Sequence, residues 1–221
     1  MLFDKVKSVL RSNGYVIYSR PYELNIVGVR SRNTVANRFD DQIHVFYRVS
    51  GLKWQYHIYQ ATTDPGTYWL ENPAYDQGTL IVAPGQYVNA YHMALHRGEY
   101  MALVQKGPID IIRDYNRDAI LDFNNGNRSR GLYGANIHHA SVQGETKFVD
   151  RYSAGCQVFE NIADFNSFML LCTKHRSLYG NEFTYTLIDF RSMRRIARRN
   201  ILFGAATAAL GMWAYYEYDN D

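Results

Sequence analysis

Cys156 is the residue of this sequence whose surroundings best suit covalent chemistry. It follows three small residues, Ser153, Ala154 and Gly155, whereas a cysteine packed in a core usually has larger apolar neighbours. A thiol attacks well only as the thiolate, and an adjacent imidazole assists by accepting its proton. His138 lies about eighteen residues upstream. These residue types at this spacing predict a nucleophile, Cys156, with His138 as its base.

The small residues before the thiol also indicate how a substrate would be received. They leave room for a carbonyl carbon to approach the sulfur, and the backbone N–H groups of Gly155 and Cys156 are expected to face the developing oxyanion. His139 adjoins His138, and neighbouring side chains of a strand point to opposite sides. Only one of the two rings can therefore face the thiol, and the sequence leaves open which one does.

The elements that must position these residues are predicted to be mainly β. Between residues 15 and 105, short runs rich in Val, Ile, Tyr and Thr are separated by Gly, Pro, Asn and Asp, as in a sandwich or a barrel-like sheet. These runs are YVIYSR, ELNIVGVR, QIHVFYRV, WQYHIYQA, GTYWLEN, GTLIVAPGQY and GEYMALVQ. IDIIRD adds a strand before a polar loop, YNRDAILDFNNGNRSR, and EFTYTLIDF is predicted as the closing strand.

Two amphipathic helices are predicted beside the strands. The first ends near Gly14, because apolar residues recur at helical spacing at Leu2, Val6, Val9 and Leu10. The second follows Cys156, and its apolar face consists of Phe165, Phe168, Met169 and Cys172. Asn161 is expected to cap the start of this helix, and Gly180 to mark its end. Cys172 is therefore predicted as a core thiol, and two cysteines do not suggest a disulfide framework.

The end of the chain differs from the rest. Residues 201–216 carry no charge and follow an arginine-rich segment, RSMRRIARR. At ~1.5 Å per residue they would reach roughly 24 Å, less than the ~30 Å core of a bilayer. The sequence is compatible with a membrane-spanning helix and with a helix buried in protein. If the helix spans a membrane, the arginines predict that the globular part is cytoplasmic.

The N-terminal segment is not predicted as a signal peptide, since no apolar run follows its lysines. The expected organisation is an N-terminal helix at 1–20, a catalytic domain at 21–190, and an arginine-rich segment with a hydrophobic helix at 191–221.

The charge of the chain argues against nucleic-acid binding, since the net charge is +3 and no nucleic-acid-binding motif accompanies the arginines. One polar stretch has the spacing of a calcium loop, at Asp114, Asn116, Asp118 and Asp122. Ala119 occupies the place of the glycine in such loops, so a polar turn and a bound cation both stay open. His92 and His96 lie in a strand-like run, where zinc is not expected. No metal or cofactor is predicted.

The order of His138, a loop, and Ser153-Ala154-Gly155-Cys156 resembles the active-site motif of the L,D-transpeptidase catalytic domain. In that family a His-Gly-(Ser/Thr) element precedes Ser-His-Gly-Cys. TTDPGTYWL at residues 62–70 is similar to a strand-turn that shapes the family's substrate groove. The resemblance covers roughly residues 22–190. It implies a β-sandwich of the L,D-transpeptidase type, with the cysteine on a loop before a helix.

The resemblance also implies a role for each matching residue. Cys156 matches the nucleophile, and His138 matches the base that is paired with it. His139 stands where the family has a small residue whose backbone carbonyl steadies the imidazole. Ser153 and Gly155 match the residues that shape the thiol loop.

The family's reaction is acyl transfer on peptidoglycan stem peptides, without a cofactor. The thiolate forms a thioester, which an amine converts to a crosslink and water hydrolyses. Two departures, Ala154 in place of a second histidine and Gln157 in place of an apolar residue, support an alternative. This alternative is a catalytically silent structural or binding component of a phage particle or of a membrane-docked assembly. The expected location is the membrane, through the C-terminal helix, or the virion or cell envelope if the protein is phage-borne.

Overall fold

A computed structural model of the chain describes residues 2–124 and 127–189. The described residues fall into two compact units, one comprising Ile17–Asp189 and the other containing residues 2–16. The described element of the latter unit is helix α1, Leu2–Ser12. Its buried residues are Val6, Val9 and Leu10, which confirms the predicted N-terminal amphipathic helix.

The unit Ile17–Asp189 is mainly β, which confirms the predicted class. Its strands are β1 (Asn25–Arg30), β2 (Asp41–Ser50), β3 (Lys53–Thr62), β4 (Thr79–Val82), β5 (Gly85–His96), β6 (Tyr100–Gln105), β7 (Ile109–Asp114), β8 (Arg128–Gly131), β9 (Ile137–His139), β10 (Gln157–Phe159) and β11 (Phe183–Asp189). Its helices are α2 (Thr67–Glu71) and α3 (Ile162–Tyr179), and a short 3-10 turn covers Asp150–Tyr152.

Eight of the strands close into a barrel in the order β1-β11-β5-β6-β9-β10-β3-β2, and β4, β7 and β8 form a separate three-stranded sheet. The expected sandwich is therefore not confirmed. The physical reason is that β1 pairs with both β2 and β11, so the larger sheet closes on itself and its backbone groups have partners on both sides. Within the barrel, β9 and β10 are parallel neighbours.

The main hydrophobic core combines strand and helix residues. Ile43, Val45 and Tyr47 alternate along β2, and all three belong to this core, as the strand period of two requires. Helix α3 adds three buried residues to the same core, Phe165, Phe168 and Cys172. The Asn161 side chain accepts the Ala163 N–H, and Gly180 ends the helix with a φ of +91°. The predicted helix, its two ends and the core thiol at Cys172 are confirmed.

Three segments differ from the prediction. The expected strand GTYWLEN contains helix α2, because the Gly66 carbonyl accepts the Leu70 N–H at 3.3 Å and the Leu70 side chain is fully buried there. The run YVIYSR is not a strand, because the Asn25 side chain bonds both backbone groups of Tyr18, at 2.8 and 2.9 Å. Strand β8 lies at the end of the predicted polar loop, where it pairs with β7.

The predicted C-terminal hydrophobic helix and the arginine-rich segment before it lie outside the described residues. Among the helices that are described, none is long and apolar enough to cross a membrane.

Candidate cysteine–histidine site

The register of β9 and β10 brings Cys156 and His138 to the same side of the barrel wall. The parallel pairing aligns Gln157 with Ile137 and Val158 with His138, and Cys156 directly precedes Gln157. Cys156 therefore lies two residues before the level of His138, where alternation gives both side chains the same side. Cys156 indeed packs against a cluster that contains Val158. From strand spacing and rise, the two Cα atoms are roughly 8 Å apart.

The loop before the thiol is held in shape by Ser153 and Gly155. The Ser153 hydroxyl accepts the Gly155 N–H at 3.1 Å and donates to the Cys156 carbonyl at 2.9 Å. Gly155 has a φ of +118°, and a Cβ there would lie 2.5 Å from the Leu80 carbonyl oxygen. Only glycine meets both conditions. Because the Gly155 N–H already donates to Ser153, the expectation that it faces an oxyanion is wrong, and the Cys156 N–H is left as the candidate.

The segment at residues 62–70 supports this loop from the side. The Gly66 N–H donates to the Ser153 carbonyl at 2.9 Å, and a Cβ on Gly66 would collide with the backbone of Asp150. The Trp69 indole donates to the Arg151 carbonyl at 3.1 Å. The stretch TTDPGTYWL thus contacts the thiol loop, although part of it is helical.

A buried group of charges anchors the same segment. The N–H and hydroxyl of Thr63 donate to Asp41 at 2.7 and 2.8 Å, and Arg30 donates to the Thr63 carbonyl at 2.9 Å. The Arg30 Nε lies 2.8 Å from Asp64 Oδ1. Burial nevertheless raises the pKa of Asp64 to about 8, against the opposing charge of Arg30. Burial has the larger effect, because Asp64 Oδ1 accepts no hydrogen bond of normal geometry in this buried setting.

His138 has the tautomer that a base for the thiol needs. Its Nδ1 lies 2.8 Å from the His139 carbonyl oxygen, so Nδ1 carries the proton and donates, and Nε2 keeps a free lone pair. Burial, and then the nearby His96, lower the pKa of His138 to about 3, while the bond to the His139 carbonyl opposes that shift. The ring is therefore neutral at physiological pH. The carbonyl contact is the one that the sequence resemblance implied for position 139.

His139 contributes its backbone rather than its ring. Its ring centroid lies 4.1 Å from that of Tyr100 and 5.0 Å from that of Phe165. Strand register aligns it with Phe159, a residue of the main core. Of the two adjacent histidines, His138 is therefore the one on the side of Cys156, which resolves the choice that the sequence left open.

The thiol is neutral in this structure. Cys156 is half-buried, and its S–H donates to the Gly134 carbonyl at 3.6 Å. Burial raises the pKa of Cys156 to about 11, although a backbone hydrogen bond with Asn136 and the charge of Arg97 act in the opposite direction. Among the described residues no hydrogen bond joins the sulfur to an imidazole. The thiol and the His138 ring are thus both uncharged here.

The hairpin between β5 and β6 supplies residues that sequence reasoning missed. The His96 ring stacks on the His138 ring at 4.3 Å, and the Tyr100 hydroxyl lies 3.4 Å from His138 Nδ1. Arg97 and Gly98, with φ of +53° and +79°, form the tight turn between them. The available signal was the Arg-Gly pair between two strand-like runs, which predicts such a hairpin and brings His96 and Tyr100 side by side.

The alternative metal sites have less support. Asn116 donates to the carboxylates of Asp118 and Asp122 at 2.9 and 2.8 Å, and Asp114 accepts the Asp122 N–H at 3.0 Å. The polar loop is thus closed by its own hydrogen bonds. Across residues 2–124 and 127–189, no group of three or more His, Cys, Asp or Glu side chains is arranged to hold a metal ion.

Comparison with protein-family models, with curated proteins and with solved structures gave no match in any of the three searches.

Proposed function

We propose that the protein is a cysteine-dependent acyl-transfer enzyme that acts on peptidoglycan stem peptides, with Cys156 as the nucleophile and His138 as the base. The observation that supports this most is the 2.8 Å contact between His138 Nδ1 and the His139 carbonyl. It leaves Nε2 as the proton acceptor on the same side of the wall as Cys156. The substrate class comes from the sequence resemblance to L,D-transpeptidases, and we propose the barrel as a variant of that family's fold.

The reaction proceeds through a thioester. His138 Nε2 accepts the thiol proton while the Cys156 sulfur attacks the carbonyl carbon, and the Cys156 N–H donates to the oxyanion. Collapse of the tetrahedral intermediate breaks the C–N bond, and His138 returns the proton to the departing amine. An amine or water then attacks the thioester, His138 accepts its proton, and the thiol is regenerated. Attack by the amine gives a crosslink, and attack by water gives a hydrolysed stem peptide.

The proton transfer must accompany the attack. A thiol pKa of about 11 and an imidazole pKa of about 3 disfavour a resting thiolate–imidazolium pair. General-base catalysis does not need that pair, because the base takes the proton only as the S–C bond forms. The free enzyme is therefore expected to react slowly with alkylating agents at neutral pH.

The test is conversion of a defined substrate. Full-length protein is incubated with muropeptides that carry tetrapeptide stems, and the products are analysed by mass spectrometry. The wild type and Cys172→Ala should both form a shortened or crosslinked product, because Cys172 lies in the core. Cys156→Ala should form none. Equal conversion by wild type and Cys156→Ala would refute the role of this cysteine.

A second candidate function is a catalytically silent binding or structural component, which the neutral thiol and the alanine at position 154 favour. It would be carried on a phage particle or docked on a membrane through residues 191–221. This function predicts that wild type and Cys156→Ala bind muropeptides equally well and that neither changes their mass.

A further inference from the structure

A chain of hydrogen bonds fixes the protonation of His96. The Gln105 backbone N–H donates to Asn136 Oδ1 at 2.9 Å, and a backbone N–H can bond only to the oxygen of an amide. The orientation of the Asn136 side chain is therefore determined. Its Nδ2 faces His96 Nδ1 at 3.0 Å.

This contact requires His96 to be neutral. Asn136 Nδ2 is a donor, so His96 Nδ1 must offer a lone pair, and the ring proton must be on Nε2. A proton on Nδ1 would set two N–H groups against each other in a nearly closed site, since His96 is 5% exposed. The protonated imidazole carries both protons, so it is excluded for the same reason.

The neutral His96 ring lies flat against the base. The two ring centroids are 4.3 Å apart and the planes differ by 20°. When His138 accepts the thiol proton it becomes a cation. A charged ring at this distance would repel that cation, whereas the face of an uncharged aromatic ring attracts it.

We propose that Asn136 and His96 are positioning residues for His138: Asn136 keeps His96 in the uncharged Nε2–H form, and the flat His96 ring holds the plane of the His138 ring towards Cys156. This inference rests on the proposed role of His138 as base. It assigns His96 a part in the site that its spacing with His92 did not suggest.

The charged and titratable groups around His96 agree with an uncharged ring. Burial lowers the pKa of His96 first, and Arg97 then acts in the same direction. Glu99 raises this pKa, and His139 lowers it. The Tyr100 ring, at 5.5 Å, is also in contact. Glu99 is an acidic residue of the same hairpin, and its charge does not reverse the lowering of the His96 pKa.

The sharpest variant is Asn136→Asp. One carboxylate oxygen can still accept the Gln105 N–H, which preserves the local fold, but the other now requires a proton on His96 Nδ1. His96→Phe keeps a flat ring against His138, whereas His96→Ala removes it. His92→Phe, on the same strand β5, is the matched control.

Nitrogen-15 NMR of the full-length protein reads the tautomer directly. The wild type should show His96 neutral and protonated on Nε2 at neutral pH. Asn136→Asp should move the proton to Nδ1 or charge the ring. A wild-type His96 that is charged, or protonated on Nδ1, at neutral pH would overturn the inference.

Kinetics on the muropeptide substrate complete the test. Asn136→Asp and His96→Ala should lower kcat about 100-fold with little change in KM, while His96→Phe and His92→Phe should stay within about threefold of the wild type. Asn136→Asp should also shift the acidic limb of the kcat/KM profile. Wild-type turnover with an unchanged profile in Asn136→Asp would refute the positioning role alone. Failure of the wild type to form any Cys156-dependent product would refute the proposed function and the positioning role together.

Discussion

Replacement of Gly155 by alanine tests whether the loop before the thiol is built as the structure shows. Two costs act at this residue. The backbone has a φ of +118°, which costs a residue with a Cβ on the order of 1–3 kcal/mol. The new Cβ would also lie 2.5 Å from the Leu80 carbonyl oxygen, and relieving such a clash costs about 1–3 kcal/mol more.

Gly144→Ala separates the two costs. Gly144 has a φ of +77°, but nothing lies within 4 Å of a Cβ built there. Alanine at this position therefore incurs the backbone strain without a steric clash. The free energy of unfolding, from urea denaturation, should fall by about 1–3 kcal/mol more in Gly155→Ala than in Gly144→Ala.

The activity of the folded fraction gives the second readout. A shift of about 1 Å in a reacting atom costs roughly 100-fold in rate, so Gly155→Ala should lose most of the muropeptide conversion at temperatures where it is fully folded. Gly144→Ala should keep it. Equal stability and equal activity of the two variants would show that the tight contact between Gly155 and Leu80 does not exist.

Further predictions concern the base and the buried charges. His138→Ala should lower Cys156-dependent conversion by about 100- to 10,000-fold, the range of general-base catalysis, when it is compared at temperatures where both proteins are folded; normal turnover would exclude His138 as the base. The pH dependence of stability should carry a contribution from Asp64. Its pKa is raised from 3.8 to about 8 in the folded protein, so this contribution is fully present below about pH 4 and is lost as the pH rises towards 8. Asp64→Asn should flatten the curve of unfolding free energy between about pH 4 and pH 8, and parallel curves for the two proteins would contradict the assignment. Iodoacetamide should alkylate Cys156 faster as the pH rises towards its pKa of about 11, and rapid alkylation at pH 6 would instead indicate a resting ion pair.

Local patterns in the sequence were sufficient for much of the fold. The Val, Ile, Tyr and Thr runs identified most strands, and the apolar face that includes Phe165 and Phe168 identified helix α3. These signals depend only on the spacing of apolar residues along the chain and on the residues that cap a helix. The helix at Thr67–Glu71 was missed because its strand-like composition is overridden by tertiary contacts, the fixed Gly66 carbonyl and the buried Leu70.

The site was predictable where neighbours in sequence are neighbours in space. Ser153, Gly155 and Cys156 form one loop, and the carbonyl of His139 adjoins the ring that it bonds. Single-residue alternation alone could not decide between His138 and His139. That decision needed the parallel register of β9 with β10, which the sequence does not specify.

The parts contributed by distant segments were not predictable. His96 is 40 residues from Asn136 in sequence, and only the pairing of β5, β6 and β9 brings their side chains together. The closure of the barrel was also not predictable, because it depends on the pairing of β1 with β11, which lies at the opposite end of the unit in sequence. Long-range pairing leaves little trace in local composition.

The most direct measurement of the central claim is the intact mass of the protein during turnover. After rapid mixing with a tetrapeptide-stem muropeptide and acid quenching, the wild type should carry one acyl group that hydroxylamine removes, and peptide mapping should locate it on Cys156. Cys156→Ala should stay unmodified. A wild type that forms product without passing through this adduct, or an adduct on another residue, would contradict the account.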